Sequence, residues 1–203
     1  MSKKPLIVFE GIEGSGKSLH IKNVEKYLKK KKINYIKLRE PGGSKNSENI
    51  RKLILKKNSN FDKLTDLFLY MASRNENYLK LIKKNYKKKI ILIDRFVDST
   101  IAYQHYGMGI NKKLIDRLNK IILNNLKPDL VFLNVVNKKN LTQRLNLRRK
   151  KNRYDLFNYN FYKKVQNGYL KLAKNKNKYF LVDSNISIYE NKLKIINKIK
   201  KIL

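Results

Sequence analysis

Short apolar runs alternate along the chain with stretches in which apolar residues return every three or four positions. Leu6–Phe9, Ile90–Ile93 and Leu130–Val136 carry almost no polar side chain, the pattern of strands buried on both faces. Ile33–Leu38 and Tyr179–Val182 read as two further strands. Between them lie helical intervals. Ile21, Val24, Tyr27 and Leu28 follow Lys17, and Ile50, Leu53 and Ile54 share a face of a helix that Ser47 can cap. Leu64, Leu67, Phe68, Met71, Leu79 and Ile82 mark a longer helix starting at Asp62 or Thr65. Another begins near Asp98, breaks at Gly107 and Gly109, and resumes from Asn111 or Lys112 to Leu126; Leu141–Leu147, Tyr159–Ala173 and Ile188–Ile202 complete the set. Strands separated by helices predict an α/β fold of three layers, a five-stranded parallel sheet flanked by helices. Neither a repeat nor a linker interrupts the pattern, so residues 1–203 are expected to form one domain.

The turn after the first strand changes the picture from architecture to chemistry. Gly11-Ile12-Glu13-Gly14-Ser15-Gly16-Lys17-Ser18 satisfies G-x-x-x-x-G-K-[ST], between a strand and a helix. Glycines let successive N–H groups curl around phosphate oxygens, and the helix N-terminus adds partial positive charge. Lys17 is expected on the β- and γ-phosphates of a nucleoside triphosphate, and the Ser18 hydroxyl on Mg²⁺. This implies the P-loop NTPase fold.

Charge modifies that reading less than its size suggests. The formal net charge is +34, from 49 Lys and Arg against 15 Asp and Glu. Such a balance ordinarily points to nucleic acid. Here the excess is lysine spread through an Asn- and Ile-rich chain, the vocabulary of AT-rich coding drift, and no specific nucleic-acid surface is expected. There is no cysteine, no apolar run long enough for a membrane span, and no signal-like stretch before the first strand, so the expected location is cytoplasmic.

Against this lysine background the arginines stand out, because a planar fork holds phosphate as a point charge cannot. Asp94-Arg95 closes a buried strand, where Asp94 can hold Mg²⁺ directly or through water and Arg95 can bridge donor and acceptor phosphates. Residues 148–155 form a basic segment without apolar period, expected to act as a short lid in which Arg148, Arg149 or Arg153 neutralises the moving phosphoryl group. His20 and His105 are expected to be structural.

Several stretches taken in order resemble the bacterial thymidylate (dTMP) kinase family. They are Phe9-Glu10-Gly11, Arg39-Glu40-Pro41-Gly42-Gly43, Ala72-Ser73-Arg74, Asp94-Arg95-Phe96-Val97-Asp98-Ser99, Ala102-Tyr103-Gln104, Asn152-Arg153 and Gly168-Tyr169-Leu170. The resemblance implies ATP-dependent phosphorylation of dTMP to dTDP, with ATP and dTMP as partners and a homodimeric assembly. It also implies that Tyr70 stacks on the base while Arg74 and Gln104 read its edge, and that Arg39, Arg51 and Arg95 surround the acceptor phosphate. Glu13, Thr100 and Tyr103 fall at positions around the nucleoside. Departures are Leu19 and Asn152, where a hydroxyl residue and an aspartate are common. Two rivals remain at this stage: a kinase of another nucleotide or nucleoside, and a basic nucleic-acid-binding ATPase.

Overall fold

The central strand, β1 (Leu6–Glu10), is buried at every position and sends alternate side chains to opposite faces of the sheet. Ile7 and Phe9 join Val24, Leu28, Phe132, Ile195 and Ile199 in one core layer; Leu6 and Val8 join Ile82, Ile91, Ile93, Phe96 and Leu123 in the other. The structure is a computed structural model and describes residues 4–174 and 176–203. Its strands β1, β2 (Tyr35–Arg39), β3 (Ile90–Asp94), β4 (Leu130–Val135) and β5 (Tyr179–Asp183) form one sheet in the order β2-β3-β1-β4-β5. All neighbouring pairs are parallel. Because β1 lies between β3 and β4, the loop after it opens into the crevice beyond the strand ends, where open α/β sheets bind ligands.

The helices follow the predicted periods with informative shifts. α1 (Lys17–Lys30) packs beside α9 (Ile188–Lys200) on one face. α2 (Lys45–Leu55) is capped not by Ser47 but by Ser44, whose side chain accepts from the Ser47 amide at 3.3 Å. Ser47 instead donates its hydroxyl to the Ser73 carbonyl at 2.7 Å, tying α2 to α3. Leu53, grouped by period with Ile54, is 52% exposed while Ile54 is fully buried. Asp62 caps α3 (Lys63–Asn77), which runs on through a π turn (Tyr78–Ile82) into α4 (Lys83–Asn85).

After β3, α5 (Val97–Thr100) passes into a π-helical segment, Ile101–Gly107, before Asn111 caps α6 (Lys112–Leu123). α7 (Lys138–Asn146) is capped by Asn137, and α8 (Tyr159–Ala173) by Asn158. The π segment lies directly on α8. A Cβ at Gly168 would stand 2.5 Å from the Tyr106 ring, so a glycine is required for the approach. π turns recur where side chains are re-aimed at functional sites, and this one carries Tyr103 and Gln104, both buried.

Candidate active site

The phosphate loop is shaped by close approach. Gly11 adopts φ +137°, and a Cβ there would lie 2.4 Å from the Asn134 carbonyl oxygen. The loop is also anchored from outside. The Ser15 carbonyl accepts from Asn134 Nδ2 at 3.2 Å and Ser184 Oγ at 2.7 Å, and the Gly14 carbonyl accepts from Arg144 Nη1 at 3.0 Å. Lys17 folds back over the loop and donates to the Gly11 and Ile12 carbonyls at 2.8 and 2.9 Å. Burial, reinforced by the neighbouring Arg95, lowers the Lys17 ammonium pKa to about 8, against the pull of Asp94, Glu13 and Glu10.

Ser18 and Asp94, expected to hold a cation, face each other at the mouth of the loop. The Ser18 hydroxyl is 3.4 Å from Asp94 Oδ2, while Asp94 Oδ1 is buried with no hydrogen-bond partner. An oxygen so placed fits a hard cation. The described residues contain no group of three or more His, Cys, Asp or Glu able to hold a metal by themselves. The site therefore suits Mg²⁺, which usually takes one or two protein oxygens and completes its shell with phosphates and water.

Arg95 stands at the centre, in a left-handed backbone conformation with φ +67°. Glu10 supports that turn from beneath: its carboxylate accepts from the Phe96 amide at 2.8 Å and from the Ser99 hydroxyl at 2.5 Å. Burial, with Asp98 adding to it, pushes Glu10 up to about 7. The Arg95 guanidinium donates to the Gly11 carbonyl at 2.8 Å and to Glu13 Oε1 at 2.7 Å, and lies over the Tyr103 ring at 5.1 Å. Tyr103 donates its hydroxyl to the other Glu13 oxygen. Burial opposes the charge on Glu13, but Arg95 and Lys17 outweigh it and hold the carboxyl below its usual range.

Arg95 lines a cavity of about 180 Å³ together with Lys17, Ser18, Arg51, Tyr70, Arg74, Thr100, Gln104 and Tyr154. Arg74, expected to read the base edge, is 1% exposed and heavily committed. Its Nε donates to Glu40 at 2.7 Å, Nη1 to Asn119 Oδ1 at 2.6 Å, and Nη2 to the Phe96 carbonyl and the Thr100 hydroxyl, each at 3.0 Å. A guanidinium has five N–H donors, so Arg74 keeps one, nearest the Met71 sulfur at 4.0 Å. It is a strut joining four segments as well as a cavity wall. Arg51 lines the cavity and donates to the Pro41 carbonyl at 2.6 Å. Arg39 lies outside the lining, held by Glu48 through bonds of 3.0 and 2.7 Å on an exposed surface.

The lid segment is more structured than its composition suggested. Asn152 and Asp155 form a reciprocal cap on a 3₁₀ turn, Arg153–Leu156. Arg148 pairs with Asp155 and lines the cavity. Arg149 is exposed and lies outside the lining. Arg153 turns away to pair with Asp66 on α3. Of the histidines, His20 is buried and its pKa lowered by that burial, while His105 Nδ1 meets the Ile110 carbonyl at 2.8 Å. Asp66 and Tyr154 escaped the sequence reading. Yet Asp66, Tyr70 and Arg74 recur at four-residue spacing on one helical face, a signal that was there to be read. Arg144 carried a weaker signal as one of few arginines in a lysine-rich chain.

A phosphate loop at the mouth of the central strand, and an arginine after β3 that contacts this loop and lines the adjoining cavity, are the features of a P-loop kinase acting on a small acceptor. The comparisons with known proteins narrow this. A family profile described as thymidylate kinase matches residues 9–195, and the chain belongs to that family of nucleotide-binding transferases. It is 37% identical over 198 residues to a thymidylate kinase from Sulfurihydrogenibium, covering 96% of each chain. It is 38% identical over 203 residues to one from Clostridium novyi, covering 97% of this chain and 92% of the relative. The crystal structure of thymidylate kinase from Ehrlichia chaffeensis superposes with a TM-score of 0.79 at 33% identity, covering 98% of this chain and 99% of that one.

Proposed function

We propose that this enzyme transfers the γ-phosphoryl group of ATP to dTMP, giving dTDP and ADP. The observation that carries the reading is Arg95, whose one guanidinium touches the phosphate loop at Gly11, holds Glu13, and faces the acceptor cavity. In this reading ATP lies over Gly11, Ile12, Glu13, Gly14, Ser15, Gly16, Lys17 and Ser18. Lys17 leaves its carbonyl partners for the triphosphate. Ser18 and Asp94 hold Mg²⁺, which supplies charge neutralisation on the phosphates. dTMP lies with its ring on Tyr70, its edge toward Gln104 and Thr100 with Arg74 behind, its sugar near Glu13 and Tyr103, and its phosphate toward Arg95 and Arg51. The acceptor phosphate is already an anion, so the side chains position and neutralise rather than abstract a proton. Arg148 is the lid arginine best placed to act on the moving group, since it alone of the three lines the cavity.

The fold is read as one kinase domain over residues 1–203 with its lid near 148–155. Exposed apolar side chains on α3, Leu64 and Phe68, support a homodimer formed through helices beside the acceptor site. No described helix is long and apolar enough to cross a membrane; a cytoplasmic enzyme without specific nucleic-acid partner completes the reading. An acceptor panel of dTMP, dUMP, dCMP and thymidine tests it. The reading expects dTMP to be the best acceptor, and a preference for thymidine would overturn the phosphate-binding role given to Arg95 and Arg51.

Lys17 gives the reading a pH signature. Its pKa is depressed to about 8 in the ligand-free site, whereas a bound triphosphate favours the ammonium form. Binding must then take up a proton above about pH 8, and ATP affinity falls as pH rises through that value. Calorimetry in buffers of different ionisation enthalpy should show proton uptake near pH 9 and little near pH 7, with the uptake lost in Lys17→Ala. Affinity that stays level across the range would contradict the assignment.

A further inference from the structure

The hydroxyl of Tyr154 meets Asp66, Arg153 and Gln104, and Tyr70 also lies within hydrogen-bonding reach. The Tyr154 hydroxyl donates to Asp66 Oδ2 at 2.9 Å, while Arg153 Nη2 lies 3.2 Å and Gln104 Nε2 3.5 Å from its oxygen. Asp66, Tyr154 and Gln104 are 2%, 3% and 1% exposed, so these contacts are shielded from bulk water. Asp66 is ion-paired to Arg153, and a carboxylate only accepts. The single phenol proton is therefore committed to Asp66. Burial, with Tyr70 and Asp66 close by, also keeps that proton on the phenol. The oxygen is left to accept, and Arg153 takes one of its lone pairs. Whether Tyr70 donates to the other or stands aside, the phenol has no proton to offer Gln104, so the NH₂ end of the Gln104 amide faces it and a carbonyl there would be repelled.

We propose that Asp66 and Tyr154 are positioning residues that lock the Gln104 amide with its carbonyl oxygen toward the acceptor base, selecting bases that carry an N–H at ring position 3. Thymine and uracil have that donor; cytosine presents a bare acceptor nitrogen there and meets repulsion. The inference rests on the reading that the cavity takes the base of a nucleoside monophosphate. It also gives Arg153 a role as anchor of this relay rather than as a phosphate ligand.

Tyr154→Phe tests the relay, since it keeps the ring and removes the hydroxyl. The ratio of kcat/KM for dTMP to that for dCMP should fall by about tenfold or more while KM for ATP is unchanged. In a Gln104→Ala background the same substitution should alter the ratio by less than about twofold, because the relay acts only through Gln104. Should Tyr154→Phe fail to fold, Asp66→Asn serves instead, made together with Tyr70→Phe so that Gln104 is the remaining acceptor. An amide oriented by Arg153 then offers its NH₂ to the phenol, turns the phenol proton toward Gln104 and reverses that amide, so the ratio should fall relative to Tyr70→Phe alone. A ratio within about twofold of wild type, or an equal fall in the Gln104→Ala background, overturns the relay. A mere loosening of the fold lowers both acceptors together, leaves the ratio in place and counts against it. Failure of the underlying reading shows separately, as a wild-type enzyme without preference for dTMP over dCMP.

Discussion

Replacing Lys17 by alanine is expected to lower turnover by about a thousandfold or more while leaving the fold intact. The ammonium group is the cation nearest the γ-phosphate in the proposed complex, and removing one donor aimed at developing charge in a water-excluded site commonly costs a factor of about 100 to 1,000. A full positive charge on the transferring group belongs at or beyond the upper end of that range. Stability should move the other way, if at all. A lysine with a pKa of about 8 in the folded enzyme, below its unfolded value, is held at a cost that is full at neutral pH; that cost fades as the pH rises through about 8 and is gone above the unfolded pKa. Loss of the bonds to the Gly11 and Ile12 carbonyls offsets part of the relief. Circular dichroism should show an unchanged or slightly higher melting temperature, together with near-complete loss of product. Near-normal turnover would sink the assignment of the loop.

Arg95→Ala should harm both activity and stability, and the two effects are separable. The guanidinium neutralises Glu13, whose side chain is 11% exposed, so its removal strands a carboxylate that cannot reach water freely. Breaking a buried pair by deleting one partner costs about 3–5 kcal/mol. With Arg95 itself 17% exposed, the lower end, about 3 kcal/mol, is expected in urea or thermal unfolding. Adding Glu13→Gln should restore much of that stability, because the stranded charge disappears. It should not restore catalysis. In the proposed complex Arg95 also holds the acceptor phosphate, and kcat/KM for the acceptor should stay roughly a thousandfold below wild type in the double variant. Recovery of activity along with stability would mean that Arg95 serves the fold alone.

What could be read from the chain was what lies contiguous in it. Gly11 to Ser18 is a single turn, and Asp94-Arg95 follows a strand that periodicity identifies without help, so both were legible with their chemistry attached. The role of Arg74 was not. Its partners Glu40, Asn119, Phe96 and Thr100 come from segments 22 to 45 residues away, and only packing brings them to one guanidinium. Arg153 illustrates the same limit, since a basic run gives no sign that one member will find Asp66 on α3. The choice of Ser44 over Ser47 as the α2 cap turned on Ser47 being drawn to Ser73, again a tertiary contact. The π segment at Ile101–Gly107 is invisible to a search for 3.6-residue periods, although it is what turns Tyr103 and Gln104 toward the cavity. Sheet, helices and phosphate loop were thus legible in the local pattern, while the lining of the acceptor cavity depended on distant contacts.

The central claim is that phosphoryl groups pass from ATP to dTMP at one site, and the most direct measurement follows the label. With γ-labelled ATP, Mg²⁺ and dTMP, the enzyme should transfer label to dTDP in step with ADP formation, and added DNA or RNA should not increase ADP release. ATP hydrolysis that is stimulated by polynucleotide and yields no labelled dTDP would contradict the account and return the lysine-rich surface to the centre of the question.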